Sequence, residues 1–180
     1  MSKPTQDKAA LQLITKLGKD ALTLMSLDGA EALSQPFGFT LVTESTADDQ
    51  DLASLLETSA SVTLLGEEGV ERIIHGMVHR VQQEGASVVL ELRPWLSCLN
   101  YSSDNRIFQD MSTTDIISKL FKDAGFNDFS IKTTQKPKKR PYCVQYRETD
   151  FAFVSRLLEE EGLAYAFKPV SYTHLRAHET

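Results

Sequence analysis

Apolar positions in the first half of the chain come in short runs broken by glycine and proline, the texture of β structure. Leu11 to Lys16 and Leu22 to Leu27 are such runs, with Gly18 between them and Gly29 after them. Behind Pro36, the residues Phe37, Phe39 and Leu41 alternate with Gly38, Thr40 and Val42, so the aromatics line one face of a strand. Asp51 to Glu57 reads as a short helix, its Leu52, Leu55 and Leu56 recurring at i, i+3 and i+4. Ser61 to Leu65 is a brief strand ending at Gly66. Arg72 to Val81 is the longest strand, followed by a QQEG turn and the strand Ser87 to Arg93. There Val88, Leu90 and Leu92 face one way, and Ser87, Val89, Glu91 and Arg93 the other. Two long strands around a short loop make an antiparallel hairpin. About six short strands at this spacing suggest a small barrel or sandwich.

After Pro94 the texture changes, and 94–103 is the one domain border that the composition suggests. Ser112 can cap a helix, with Asp115 at the capping-box position. Ile116, Ile117, Leu120, Phe121 and Ala124 follow at helical spacing, and Gly125 stops the helix. A second helix starts at Thr149, with Asp150 in its first turn and Phe151, Val154, Leu157 and Leu158 as its apolar stripe. Glu159, Glu160 and Glu161 end it, and Gly162 suits the left-handed position beyond. Three acids in a last turn oppose the helix dipole, so they need another reason to be there, such as a basic partner surface. Between the helices, KPKKRPYCVQYRE is a basic loop running into a short strand. Ala164 to Phe167 begins another strand, with Tyr165 and Phe167 on one face. The whole reads as an α+β chain with a β-rich first part.

Composition narrows the function classes. The chain has 180 residues, 41% hydrophobic and 24% charged, with a net charge of −6. That is ordinary for a globular protein. The acidic balance argues against a general nucleic-acid binder. The apolar runs fall far short of the ~20 residues that span a bilayer, and MSKPTQDKAALQ lacks a signal-peptide core. Cys98 and Cys143 allow one disulfide but support no zinc site; their apolar and aromatic neighbours also suit two small buried residues.

The candidate reactive residues weigh little. His75 and His79 are four apart, a metal pair on a helix, but on a strand they stand roughly 13 Å apart. Asp150 and Glu159 to Glu161 lack the opposed carboxyl pair of a glycosidase, because a consecutive triplet points around its helix. No GxSxG elbow or glycine-rich phosphate loop is present. Lys136, Lys138, Lys139 and Arg140 form the one basic cluster, better read as a solvated loop or a protein contact than as a nucleic-acid site.

Four stretches are more specific: LSQPFGFTLVTES (33–45), RIIHGMVHRV (72–81), LRPWLSCLNYSSDNRIFQDMSTTDII (92–117) and RPYCVQYRETDFAFVSRLLEEEGLAYAF (140–167). They resemble the N-terminal part of the VgrG family, the spike proteins of bacterial type VI secretion, related to the baseplate hub of contractile phage tails. The resemblance implies a structural hub and no enzyme, with no catalytic residue, metal or cofactor. It implies a homotrimer of paired β-barrels docked on the Hcp tube hexamer among baseplate proteins. Effectors would ride on a downstream spike, and the assembly would pass from the cytoplasm into a target cell when the sheath contracts. A phage-tail hub is the alternative within this class, and a cell-wall hydrolase the alternative outside it.

On this reading, 1–93 is an N-terminal β-barrel domain, and 94–169 a connecting α/β domain with the start of a second barrel. The tail 170–180, VSYTHLRAHET, resembles translated sequencing-adaptor read-through, so His174 and His178 are not site residues. With that tail set aside, Tyr165 and Phe167 are expected on an unpaired edge strand. The acidic triplet and the basic loop, opposite in sign, are expected to pair between copies. Alternatively, Arg147, Asp150 and Arg156 fix the second helix on its neighbouring strand.

Overall fold

The alternation of Phe37, Phe39, Leu41 and Thr43 with more exposed residues holds along a strand that belongs to a six-stranded sheet. The computed structural model describes residues 9–45, 49–66, 71–134, 137–168 and 174–179. These fall into two compact units. The first takes residues before Ala32 and Pro36–Pro94; the second takes Ala32–Gln35, Trp95–Lys168 and the strand His174–Glu179.

The first unit holds β1 (Leu11–Ile14), β2 (Leu22–Ala32), β3 (Gln35–Ser45), α1 (Asp49–Ala53), β4 (Ser59–Leu65), β5 (Glu71–Glu84) and β6 (Ser87–Arg93). The strands run in the order β1-β4-β5-β6-β3-β2 and curl into a half-barrel. Leu22, Leu24, Val62, Ile74, Val78, Val88, Leu90 and Leu92 fill its concave core. Thr43, fully buried, donates its hydroxyl to Val88 O at 2.8 Å, which answers the hydrogen-bonding demand of a buried polar group.

Two local expectations need correction. The QQE residues belong to β5, and the chain reverses at Gly85-Ala86, where Gly85 takes φ +64°. A two-residue hairpin needs such positive φ, which glycine adopts without steric cost. The DLASLLE segment is helical only to Ala53; Leu52 and Leu55 are buried, whereas Leu56 is exposed.

The second unit holds a 3₁₀ helix (Trp95–Tyr101), β7 (Ser103–Ser112), α2 (Thr113–Asp123), β8 (Phe129–Lys132), β9 (Lys139–Thr149), α3 (Asp150–Glu160), β10 (Leu163–Lys168) and β11 (His174–Glu179). Its core is aromatic. Trp95 meets Phe121 edge-on at 4.9 Å and stacks on Phe126 at 4.6 Å, and Phe108 stacks on Phe153 at 5.8 Å. Ser112 caps α2, with the reciprocal Asp115 contact that completes a capping box. Thr149 caps α3 through the Ala152 N–H, and Gly162 follows it with φ +66°. The buried stripe of α3 is Phe153, Val154, Leu157 and Leu158; Phe151 is only half-buried. The strands β7, β8 and β11 have no counterpart in the sequence reading. The last of these lies within the stretch that the sequence reading sets aside, and β10 pairs with it antiparallel over Leu163–Lys168.

Candidate assembly surface

In the second unit β7 and β9 form a two-stranded ribbon, antiparallel, with Ile107 opposite Val144, Phe108 opposite Cys143 and Gln109 opposite Tyr142. Successive residues of a strand face opposite ways. Cys143 and Gln145 therefore share the covered face with Phe108, while Tyr142, Val144 and Tyr146 share the open one with Ile107. The pattern is inside out. Gln145 is fully buried, while Ile107 is 68% exposed, Tyr142 67% and Tyr146 61%. A contiguous apolar face of this kind, with aromatic rings carrying a polar tip, is the composition of a protein interface. The Arg147 guanidinium lies over the Tyr146 ring at 5.1 Å, and Arg147 itself takes φ +53° while its N–H donates to Asn105 Oδ1.

The covered face explains why Gln145 can be inside. Its Nε2 donates to Asp150 Oδ1 at 2.7 Å and to Glu148 O at 3.2 Å. Asp150, 3% exposed, also faces Arg106 Nη2 at 3.5 Å. Arg156 reaches back from α3 to Glu148 at 2.6 Å and to Val144 O at 3.2 Å. Of Arg147, Asp150 and Arg156, the last two do tie α3 to β9, Asp150 through Gln145 and Arg156 through Glu148 and Val144 O, whereas Arg147 contacts Asn105 and Tyr146.

Two of the three acids, Glu160 and Glu161, find partners inside the chain. Arg140 donates to Glu160 at 2.6 Å and to Glu161 at 2.8 Å, Arg156 donates to Glu160 at 3.1 Å, and Thr113 Oγ1 donates to Glu161 at 2.7 Å. The hydrogen bond from Arg140 is the main cause that holds both carboxyls below the usual glutamate range. These contacts within the chain answer the cost of Glu160 and Glu161 in that last turn. Of the rest of the basic cluster, Lys138 and Lys139 are near or at the start of β9, and Lys136 lies outside the described residues.

The other candidates are scattered. His75 Nδ1 lies 2.7 Å from Ser61 Oγ across the β4–β5 pair. His79 sits where the β5–β6 register shifts, and burial, then Arg93, lowers its pKa. Cys98 and Cys143 are both free, and burial pushes the Cys143 thiol up. Among the described residues no group of three or more His, Cys, Asp or Glu side chains could hold a metal ion, and no helix is long and apolar enough to cross a membrane. His174 and His178 lie on β11. The interface signal that sequence reasoning missed was the alternation Tyr142, Val144, Tyr146, which looks like an ordinary buried face until its burial is known.

Comparison with known proteins gives this geometry a setting. The family model described as phage tail baseplate hub (GPD) matches residues 30–176. The type VI secretion system spike proteins VgrG1b and VgrG1c of Pseudomonas aeruginosa are 39% and 38% identical, over 94% and 95% of this chain and 24% of each relative. The chain thus spans about a quarter of the length of the curated relatives it matches. An Escherichia coli protein, described as a type VI secretion component structurally similar to the T4 bacteriophage tail proteins gp27 and gp5, superposes with a TM-score of 0.82 at 22% identity. That match covers 93% of this chain and 48% of that one, and it bears on the fold alone. With a family match running from the β2 strand into β11, the chain belongs to the phage tail baseplate hub (GPD) family and is similar along nearly all its length to the VgrG spike proteins of type VI secretion.

Proposed function

We propose that this chain is the N-terminal portion of a type VI secretion spike hub. The hub assembles as a homotrimer, docks on the hexameric Hcp tube among baseplate proteins, and carries effectors on a spike that follows it. Its role is mechanical, with no catalytic residue, metal or cofactor in this portion. It waits in the cytoplasm and moves into a target cell when the sheath contracts. Within this reading, residues 1–93 are the first barrel domain, 94–169 the connecting domain with the start of a second barrel, and 170–180 a non-native tail.

The single observation that carries the assembly role is the open face of the β7–β9 ribbon. Ile107, Tyr142, Val144 and Tyr146 are turned outward while a glutamine is buried behind them. A chain that works alone gains nothing from that inversion. A chain that meets another copy buries the rings and keeps the Tyr hydroxyls at the rim. The test is sedimentation of the full-length protein. Tyr142→Asp with Tyr146→Asp should lower the trimer fraction, while Met25→Asp, at an exposed position of β2, should not. An unchanged trimer in the double variant would refute the assignment of this face.

The phage-tail reading is supported by the match to the phage tail baseplate hub family over residues 30–176. It assigns the same structural task to the same face.

A further inference from the structure

Ser34, Glu57, Asp110 and Arg147 are the residues other than glycine that take positive φ among those described. That region crowds the Cβ of an L residue, so each must be held there by its surroundings, and such strain gathers at functional positions. Glu57 and Arg147 share more than a backbone angle. Both are exposed, and each directly follows an exposed apolar or aromatic residue, Leu56 or Tyr146. They are opposite in charge, and neither takes part in a salt bridge among the described residues.

Both positions are fixed by their neighbours. In β9 a bulge sets Tyr146 and Arg147 together against Asn105 of β7. Asn105 Oδ1 accepts from the Arg147 N–H at 3.1 Å, and the guanidinium lies over the Tyr146 ring. In the first unit, the turn Leu55 to Thr58 is tied to itself and to β5. Thr58 donates its N–H and its Oγ1 to Leu55 O, at 3.1 and 2.6 Å. Glu57 N–H donates to Val78 O, and Val78 N–H to Thr58 O, each at 2.9 Å. Leu55 is fully buried, so Leu56, 46% exposed, stands out as a knob on a rigid base. Surfaces held ready in this way lose little freedom on binding.

A closed ring of three cannot be made from the β7–β9 ribbon alone. A patch that meets itself is two-fold and stops at two copies, so a trimer needs a second, different patch on every copy. That patch must offer an apolar group to the ribbon's rings and a carboxylate to Arg147. Of the exposed large apolar residues described away from the ribbon, Ile14, Met25, Leu33, Leu56 and Tyr101, only Leu56 stands next to an acid in the chain. On the homotrimer reading, on which this rests, we propose that the Leu56–Glu57 knob of one copy seats on the β7–β9 ribbon of the next. Leu56 packs against Tyr142, Val144 and Tyr146, and Glu57 pairs with Arg147. The apolar contact supplies the burial, and the ion pair fixes the register.

The test exchanges the two charges in the full-length protein and reads assembly by sedimentation. Glu57→Arg and Arg147→Glu should each raise the concentration needed for half assembly by about tenfold. The variant carrying both should return it to within about twofold of the unaltered protein. Single variants that assemble normally, or a double variant no better than the worse single one, overturn the proposal. Should a reversal unfold the chain, Glu57→Gln and Arg147→Gln take its place. Each then weakens assembly and the two together weaken it no further, whereas losses that add overturn the pairing. Tyr142→Asp with Tyr146→Asp keeps this result apart from the reading beneath it. Loss of trimer there, with no effect of the charge exchange, leaves the ribbon as a contact face and removes the knob as its counterpart. An unchanged trimer there removes the ribbon, and this pairing with it.

Discussion

The Arg140 guanidinium donates to Glu160 and to Glu161, joining the start of β9 to the last turn of α3. Thr113 at the start of α2 donates to the same Glu161 carboxylate, so one carboxyl gathers three elements. Both acids have lowered pKa values in the folded chain, with the Arg140 hydrogen bond first among the causes. A depressed carboxylate contributes stability above its unfolded pKa, about 4.3, and loses it as pH falls through the folded value. The urea midpoint should therefore drop as pH is lowered from about 5. Arg140→Met should flatten that part of the profile. Because these side chains are more than a third exposed, the difference should stay within about 1 kcal/mol. Superimposable profiles for the two proteins would dismiss the link.

Phe153 and Phe151 make a sharper pair. Phe153 is fully buried, stacked on Phe108, with the Arg156 guanidinium 5.1 Å from its ring centre. Phe151 is only half-buried. Phe153→Ala should cost about 3–5 kcal/mol, and Phe151→Ala clearly less. Thermal unfolding of the two variants measures this, and equal losses would contradict the assigned helix face.

Those two residues also show what the sequence could and could not reveal. The helix α3, its Thr149 cap and its Gly162 stop were legible because capping and positive-φ positions are local chemistry. Its rotation was not, because Phe151 and Phe153 both fit a 3.6-residue period when joined to Val154, Leu157 and Leu158. The strand β6 was legible through Val88, Leu90 and Leu92, one apolar face over a core. The strand β7 was illegible, because Ile107 and Phe108 are adjacent and point to opposite sides. The candidate interface was hidden for the same reason, since a stripe of Tyr142, Val144 and Tyr146 has the period of a core strand whichever way it faces. The acidic triplet carried a true signal, an unfavourable turn that needs compensation. The partner within the chain was not legible, because Arg140 stands twenty positions from Glu160 and only the fold brings it near.

Asp150 should prove costly to remove. It is buried, accepts a hydrogen bond from Gln145 at 2.7 Å, and lies in the first turn of α3, where a negative charge meets the positive end of the dipole. Asp150→Ala leaves the Gln145 amide with Glu148 O as its remaining acceptor among these contacts, while Arg106 keeps Asp104 at 2.7 Å. The expected loss is about 1–3 kcal/mol. Asp150→Asn should lose less, because it keeps the shape and one acceptor oxygen. Denaturant unfolding read by amide exchange in β9 would locate the effect, and a wild-type midpoint in Asp150→Ala would count against the whole buried cluster.

Gly76 tests the first unit in the same way, through backbone proximity and not through any side-chain contact. It lies in β5, opposite Ala60 of β4 and next to Met77, which pairs with Arg93 of β6. A Cβ at this position would stand 2.6 Å from Arg93 O and 2.9 Å from Leu92 Cγ. The first contact is with backbone, which cannot swing aside, so the β5–β6 ladder must open locally. Gly76→Ala should therefore destabilise the protein by about 1–3 kcal/mol, the cost of overpacking a close contact, although alanine suits a strand slightly better than glycine does. Gly38, also mid-strand, has nothing within 4 Å of its virtual Cβ, and Gly38→Ala should be neutral or mildly stabilising. If both variants melt at the same temperature, the close approach of Gly76 to Arg93 does not exist in solution.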